Sequence, residues 1–261
     1  MTEKSPVIVA VVNSKGGVGK TTTAVNLAAA LASPRSPVLL VDLDSQASAS
    51  AWSGIRRSRL KPSAGSVLLH DFPIEQAIRP TATPHLDILT GSIELASADV
   101  ALSDVRGRET TLKQALTHMR LRYNLIVLDC PPGLSLLTVN ALVAADGVII
   151  PVPPQPMAVD GLNGLITSIE TVRRRHNTRA RLLGILVSMA GAETAQGVAL
   201  RDRLRDEYRE RVFHTEITHN RALQEAPGEG KTIFAHAPRS RAADAFRRLA
   251  GEVLERLRQR R

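Results

Sequence analysis

Short, nearly unbroken apolar runs recur along the chain at residues 7–12, 38–41, 86–89, 125–128, 148–150 and 182–189. Runs of this kind, rich in valine and isoleucine and without polar alternation, suit strands buried on both faces of a parallel sheet. Between them, residues 21–32, 109–122, 134–145 and 159–175 have helical composition. The alternation predicts an α/β fold, a doubly wound and mostly parallel sheet flanked by helices. Residues 52–84 break the rhythm with Pro62, Pro73, Pro80, Pro84, Gly54 and Gly65, and read as a surface excursion carrying one short helix at 74–78. From Ser240 to about residue 260 the pattern predicts a terminal helix. Its apolar positions Phe246, Leu249, Ala250, Val253, Leu254 and Leu257 share one face, with arginines on the other. No internal repeat is visible, and residues 1–261 read as one domain.

Composition narrows the classes. With 43% hydrophobic residues over 261 positions, the chain can bury a sizeable core. The balance of 34 Lys and Arg against 25 Asp and Glu gives +9, an excess that fits a polyanion such as nucleic acid or an acidic membrane surface. One cysteine excludes an intrachain disulfide and an all-cysteine metal cage, and fits a reducing, cytoplasmic compartment. Residues 1–6 are polar and the apolar run 7–12 is too short for a secretory signal. The best membrane-span candidate, 134–152, is interrupted by Asn140, Asp146 and Pro151. The low aromatic content, 3%, argues against stacking on single-stranded bases.

The chemistry concentrates in three segments. Ser14-Lys15-Gly16-Gly17-Val18-Gly19-Lys20-Thr21-Thr22 lies where the first strand stops and the first helix begins. Glycines there let backbone amides turn onto an anion, and the helix N-terminus adds partial positive charge. Lys20 would reach the β- and γ-phosphates and the Thr21 hydroxyl would ligate Mg²⁺. Ser14 holds the first glycine position of the strict phosphate-loop pattern, and Lys15 is an additional lysine at the loop tip. Next, Val38-Leu39-Leu40-Val41-Asp42-Leu43-Asp44 is a strand ending in two carboxylates that alternation places on one side, towards metal and γ-phosphate. Finally, Leu125-Ile126-Val127-Leu128-Asp129-Cys130-Pro131-Pro132-Gly133 ends a strand in a carboxylate suited to accept from Mg²⁺-bound water. Cys130, with no base or partner cysteine nearby in sequence, reads as a core thiol.

These three segments, in this order, resemble the ParA/MinD family of P-loop ATPases with the deviant phosphate loop, in particular its ParA partition branch without an N-terminal helix-turn-helix. The resemblance extends through residues 151–162, similar to a family segment near the dimer interface, and 220–230, similar to the stretch before the terminal helix in ParA proteins. It implies an Mg²⁺-dependent ATPase with ATP cradled by Lys15, Gly16, Gly17, Val18, Gly19, Lys20, Thr21 and Thr22. Lys15 would act in trans across an ATP-sandwich homodimer, Asp44 would orient the attacking water, and Asp42 and Asp129 would join Thr21 at the metal. Ser45 stands where the family's D-x-D-P-Q motif has proline. Ser188-Met189 stands where relatives often carry Asn or Thr, and Thr218 where many carry proline.

The resemblance further implies nonspecific binding of double-stranded DNA by the ATP dimer, release when a ParB-like or other cargo adaptor stimulates hydrolysis, and a cytoplasmic, nucleoid-associated location. Residues 239–261 carry eight arginines against Asp244, Glu252 and Glu255. Arg221, Lys231, Arg247 and Arg248 are the candidate phosphate contacts, since phosphates are held by charge without base reading. Two other readings stand beside this one. A MinD-like membrane-associated positioning ATPase would use the terminal amphipathic helix on anionic lipid, and lacks here a hydrophobic tip. A metabolic P-loop enzyme would need substrate residues that the sequence does not display.

Overall fold

The computed structural model describes residues 6–190 and 195–259. Among these residues, eight strands form one sheet: β1 (Val7–Val11), β2 (Val38–Asp42), β3 (Ile78–Pro80), β4 (Leu86–Leu89), β5 (Leu125–Asp129), β6 (Gly147–Val152), β7 (Arg181–Ala190) and β8 (Ile217–Thr218). Their order is β3-β4-β2-β5-β1-β6-β7-β8, parallel throughout except for the antiparallel edge strand β3. Strands β2, β5 and β6 are buried along their whole length, which is why their sequences show no alternation.

Among the described residues, thirteen helices cover the sheet: α1 (Lys20–Leu31), α2 (Ser48–Trp52), α3 (Ala64–His70), α4 (Ile74–Ala77), α5 (Ala98–Ala101), α6 (Thr111–Thr117), α7 (Leu136–Ala144), α8 (Pro156–Asp160), α9 (Leu162–Arg175), α10 (Ala195–Tyr208), α11 (Arg221–Glu225), α12 (Ile233–His236) and α13 (Arg241–Arg258). On one side α1, α2 and α11 to α13 pack with Leu27, Trp52, Leu223, Ile233, Phe246 and Leu249 against the sheet. On the other, α3, α6, α7, α9 and α10 contribute Leu68, Leu112, Leu142, Ile169 and Leu204.

The structure corrects the expectation for residues 52–84. That segment is built into the fold: besides α4 it supplies α3, whose Val67 and Leu68 enter the core, and the edge strand β3. Its prolines punctuate short elements that burial holds in place. Ser63 caps α3, its hydroxyl accepting from Ser66 N at 3.3 Å while the Ser66 hydroxyl accepts from Ser63 N at 3.1 Å. The terminal helix forms as the pattern predicts, capped by Ser240. One of its six apolar positions differs: Leu254 is 41% exposed, whereas Phe246, Leu249 and Val253 are sealed in the core. The stretch 159–175 divides at Gly161 into α8 and α9, and 109–122 holds only two turns of α-helix between 3-10 turns. Helix α10 gives little apolar signal, because only Leu204 and Tyr208 are fully buried along it.

Candidate functional site

The sequence-predicted nucleotide and metal residues meet at the carboxyl ends of β1, β2 and β5, where a doubly wound sheet places its ligands. The loop from Ser14 to Gly19 is tethered from three neighbouring strands. Asn13 Nδ2 donates to the Pro151 carbonyl of β6 at 2.7 Å, while its Oδ1 accepts from Lys15 N at 3.0 Å. Gly133 N, beyond β5, donates to the Ser14 carbonyl at 3.0 Å. The Ser188 hydroxyl on β7 donates to the Val18 carbonyl at 2.8 Å. Gly17 and Gly19 adopt left-handed backbone, φ 70 and 89, which curls the amides inward. Helix α1 then begins with neither an acidic residue nor a side-chain cap in its first turn, so its leading N–H groups face outward for an anion.

The two loop lysines differ in environment. Lys20 is buried and its Nζ donates to the Lys15 carbonyl at 2.6 Å across the loop. Burial holds its ammonium below the ordinary lysine range, and Asp129 pulls it back up. Lys15 Nζ instead leaves the loop and reaches the carbonyl of Met157 in α8, a residue whose side chain is exposed.

Asp42 and Asp129 are register partners on adjacent parallel strands and both are fully buried. Asp42 Oδ2 accepts from the Ser50 amide at 2.8 Å and from its hydroxyl at 2.6 Å, and Oδ1 accepts from Asp44 N at 3.1 Å. Burial still raises its pKa to about 6 against those bonds. Asp129 has no such help: neither carboxylate oxygen has a hydrogen-bond partner, and the Thr21 hydroxyl stands beside it without closing one. Burial, then the neighbouring Asp42, pushes its carboxyl well above the usual range. An orphaned, buried carboxylate beside a threonine hydroxyl is what a cation site leaves when described by protein atoms alone, so these residues fit a magnesium ion. Among the described residues no group of three His, Cys, Asp or Glu forms an all-protein metal cage.

Asp44 is half-buried two residues beyond Asp42, and its Oδ1 accepts from Gln46 N at 2.9 Å. This aspartate turn holds the Ser45 position without proline. Three residues that sequence reasoning did not single out shape this corner. Asn13 and Ser50 act as described, and Gly91 lies against the carboxylates so closely that a Cβ would stand 2.5 Å from the Asp44 carbonyl and 2.9 Å from Asp42 Cγ. Gly91 lies just beyond the end of β4, a placement that was the available sequence signal.

Beside the first turn of α1 a cleft opens between Thr22 and Thr23, Ser188 and Met189 at the end of β7, and Asn220 and Leu223 of the next segment. Met189 is strained into left-handed backbone there, φ 51. Cys130 is buried and burial pushes its thiol up, in keeping with an inert core residue. The candidate phosphate contacts lie elsewhere, on exposed surface. Arg221 pairs with Glu225 at 2.7 Å, Lys231 with Glu229 at 2.9 Å and Arg247 with Asp244 at 2.6 Å. Arg248 is exposed and has no ion pair among the described residues. Among the described residues no helix is long and apolar enough to cross a membrane, and the apolar face of α13 is taken up by the core.

Comparison with known proteins places these features in company. A family described as an AAA domain matches residues 6–182. The chromosome-partitioning ATPase Soj of Thermus thermophilus is 45% identical over 249 residues, covering 95% of this chain and 96% of that protein. The sporulation initiation inhibitor protein Soj of Bacillus subtilis is 40% identical over 246 residues, covering 94% and 97%. Among solved structures, one described as cobyrinic acid a,c-diamide synthase from Mycobacterium smegmatis, with ADP and magnesium bound, superposes with a TM-score of 0.85 at 31% identity over 98% of this chain and 97% of that one.

Proposed function

Since the chain belongs to the ParA/MinD family of P-loop ATPases, we propose that it positions or segregates a cargo by an Mg²⁺-dependent cycle of ATP-driven dimerisation, nonspecific binding to double-stranded DNA and release on hydrolysis. The observation that carries the reading is the orphaned Asp129 carboxylate at the end of β5, beside a tethered glycine loop whose Lys20 is buried across it. In this cycle the amides of Gly16 to Thr22 and the Lys20 ammonium bind the phosphates. Thr21 and Asp129, with Asp42 behind them, hold the metal, which when bound draws charge off the phosphate oxygens. Asp44 orients water towards the γ-phosphate. Lys15, released from the Met157 carbonyl, reaches the phosphates of the second protomer.

Arg221, Lys231 and Arg247 exchange carboxylate partners for DNA phosphates and the exposed Arg248 joins them, so their joint charge matters more than any one of them. The protein works in the cytoplasm on the nucleoid, with a ParB-like or other cargo adaptor stimulating turnover. The test is Asp44→Ala measured for ATP affinity, dimerisation by light scattering, DNA retention and turnover. The expected result is intact ATP binding, an ATP-dependent dimer that stays on DNA, and no hydrolysis. Hydrolysis at the wild-type rate, or equal DNA retention with and without ATP in the parent protein, overturns the reading.

A further inference from the structure

An exposed basic turn, Arg56-Arg57-Ser58-Arg59, closely follows α2 and contains the 3-10 turn Arg57–Arg59. All three arginines are exposed and none has an ion pair among the described residues, unlike Arg221, Lys231 and Arg247. The neighbouring cation Lys61 is paired with Glu94, which leaves that carboxylate engaged away from the turn. Like charges are crowded here: the Arg79 guanidinium is lowered by burial and then by the field of Arg59. Uncompensated charge of one sign, held at close range, suits a polyanion.

The turn is fixed at both ends to the nucleotide corner. On its leading side α2 carries Ser50, whose amide and hydroxyl hold Asp42 at 2.8 and 2.6 Å, and Ile55 N returns to the Ser50 carbonyl at 3.1 Å. On its trailing side the Leu60 carbonyl accepts from Arg79 Nη1 at 3.1 Å and from the Thr90 hydroxyl at 2.5 Å. Thr90 adjoins Gly91, which donates to the Ser50 hydroxyl at 3.0 Å and lies against Asp42 and Asp44. The turn also shares a surface with Lys231. Trp52 Nε1 donates to the Lys231 carbonyl at 2.7 Å, and a Cβ on Gly54 would stand 3.1 Å from the Gly230 carbonyl, an approach that suits paired glycines.

We propose that Arg56, Arg57 and Arg59 form a phosphate-backbone grip for double-stranded DNA, and that α2 acts as the lever that couples this grip to the Asp42–Asp44 corner through Ser50. The proposal rests on the DNA-binding reading above and adds both the contact residues and the route by which nucleotide state reaches them. Phosphate contacts require charge on a fixed frame and no base recognition, which the turn supplies. A membrane surface is a poorer match: Ile55 and Leu60 are half-buried, and the turn offers no exposed apolar side chain to insert.

The experiment is a salt titration of DNA affinity with ATP for the parent protein, the triple variant Arg56→Ala, Arg57→Ala, Arg59→Ala, and the charge-preserving triple lysine variant, with anionic liposomes run in parallel. Loss of three contacts should make the log–log slope shallower by roughly 2.7 for each protomer engaged, so the fall in affinity between 50 and 200 mM salt becomes smaller by a factor of roughly 40 per engaged protomer. The lysine variant should keep the parent slope, which separates charge from folding. Failure of the parent protein to bind DNA overturns the functional reading itself. A parent that binds DNA while the alanine variant keeps its slope overturns the grip alone, as does loss of liposome binding without any DNA effect. Ser50→Ala should compress the ratio of DNA affinities with ATP and ADP, with Ser50→Thr restoring it; an unchanged ratio in Ser50→Ala overturns the lever.

Discussion

Gly91→Ala tests whether the carboxylate corner works as a fitted assembly. Gly91 is not in the left-handed region, so the cost of a side chain is steric and not conformational. The added carbon would meet the Asp44 carbonyl oxygen at 2.5 Å and Asp42 Cγ and Oδ1 at 2.9 Å. An ordinary carbon to oxygen contact needs about 3.3 Å, so roughly 0.8 Å of displacement must enter the 42–44 backbone or the loop after β4. Neither side yields easily, since Asp42 is fixed by Ser50 and Gly91 N by the Ser50 hydroxyl. Overpacking of this kind costs about 1–3 kcal/mol, and misplacing a positioning group by about 1 Å costs on the order of 10²-fold in rate. Gly251→Ala is the matched control, because no atom lies within 4 Å of its added carbon in the middle of α13. There the same change should stabilise by about 0.5–1 kcal/mol. Steady-state turnover at saturating ATP, read beside the thermal midpoint, gives both numbers. Gly91→Ala turning over at the parent rate with an unshifted midpoint refutes the fitted-corner argument.

Lys15→Ala should bind nucleotide yet remain monomeric with ATP, since the loop amides and Lys20 are untouched while the side chain that leaves the loop towards α8 is lost; light scattering reads this, and a dimer refutes the role in trans. Asp129→Asn should raise the unfolding midpoint of the nucleotide-free protein near pH 8 while removing magnesium-dependent stabilisation. The sign follows from a carboxyl whose folded pKa lies above its unfolded value: its ionisation destabilises the fold increasingly as pH rises through that window, and the penalty vanishes as pH falls below it. The advantage of the variant over the parent should therefore shrink on acidification, and chemical denaturation across pH gives the comparison.

What could be read from the chain follows from how each signal arises. Strands β2, β5 and β6 are buried on both faces, so local composition alone reveals them. The phosphate loop is equally visible because backbone geometry demands glycine at Gly17 and Gly19. Edge strand β3 and helix α3 were hidden, since their order depends on contacts with α6 and β4 and on a serine cap, none of which leaves a periodic trace among the prolines. Likewise Ser50 and Gly91 become meaningful only once β2 and β4 lie side by side, 41 positions apart in sequence. The surface arginines are the least legible of all. Whether an arginine is neutralised depends on a carboxylate one turn away, as in the Arg221 and Glu225 pair, and charge counts cannot see that distance.

Two buried carboxylates on neighbouring strands form an arrangement that folding alone would not favour. Burial raises the Asp42 carboxyl above its ordinary range despite its hydrogen bonds to Ser50, so its ionisation at neutral pH works against the fold. Asp129 adds to it in the same direction, opposed only by the adjacent Thr21 hydroxyl and the Lys20 ammonium. Had these positions served only stability, neutral residues of similar size would do better. A strained pair of this kind persists where a ligand relieves it, and a ligand at one hundred times its dissociation constant stabilises the folded state by about 2.7 kcal/mol. On the proposed metal-binding role, the stability of the fold and the occupancy of the loop are linked at Asp42 and Asp129. Because Ser50 carries Asp42 directly into α2, the relief of that strain is also a local event positioned to alter the arginine turn.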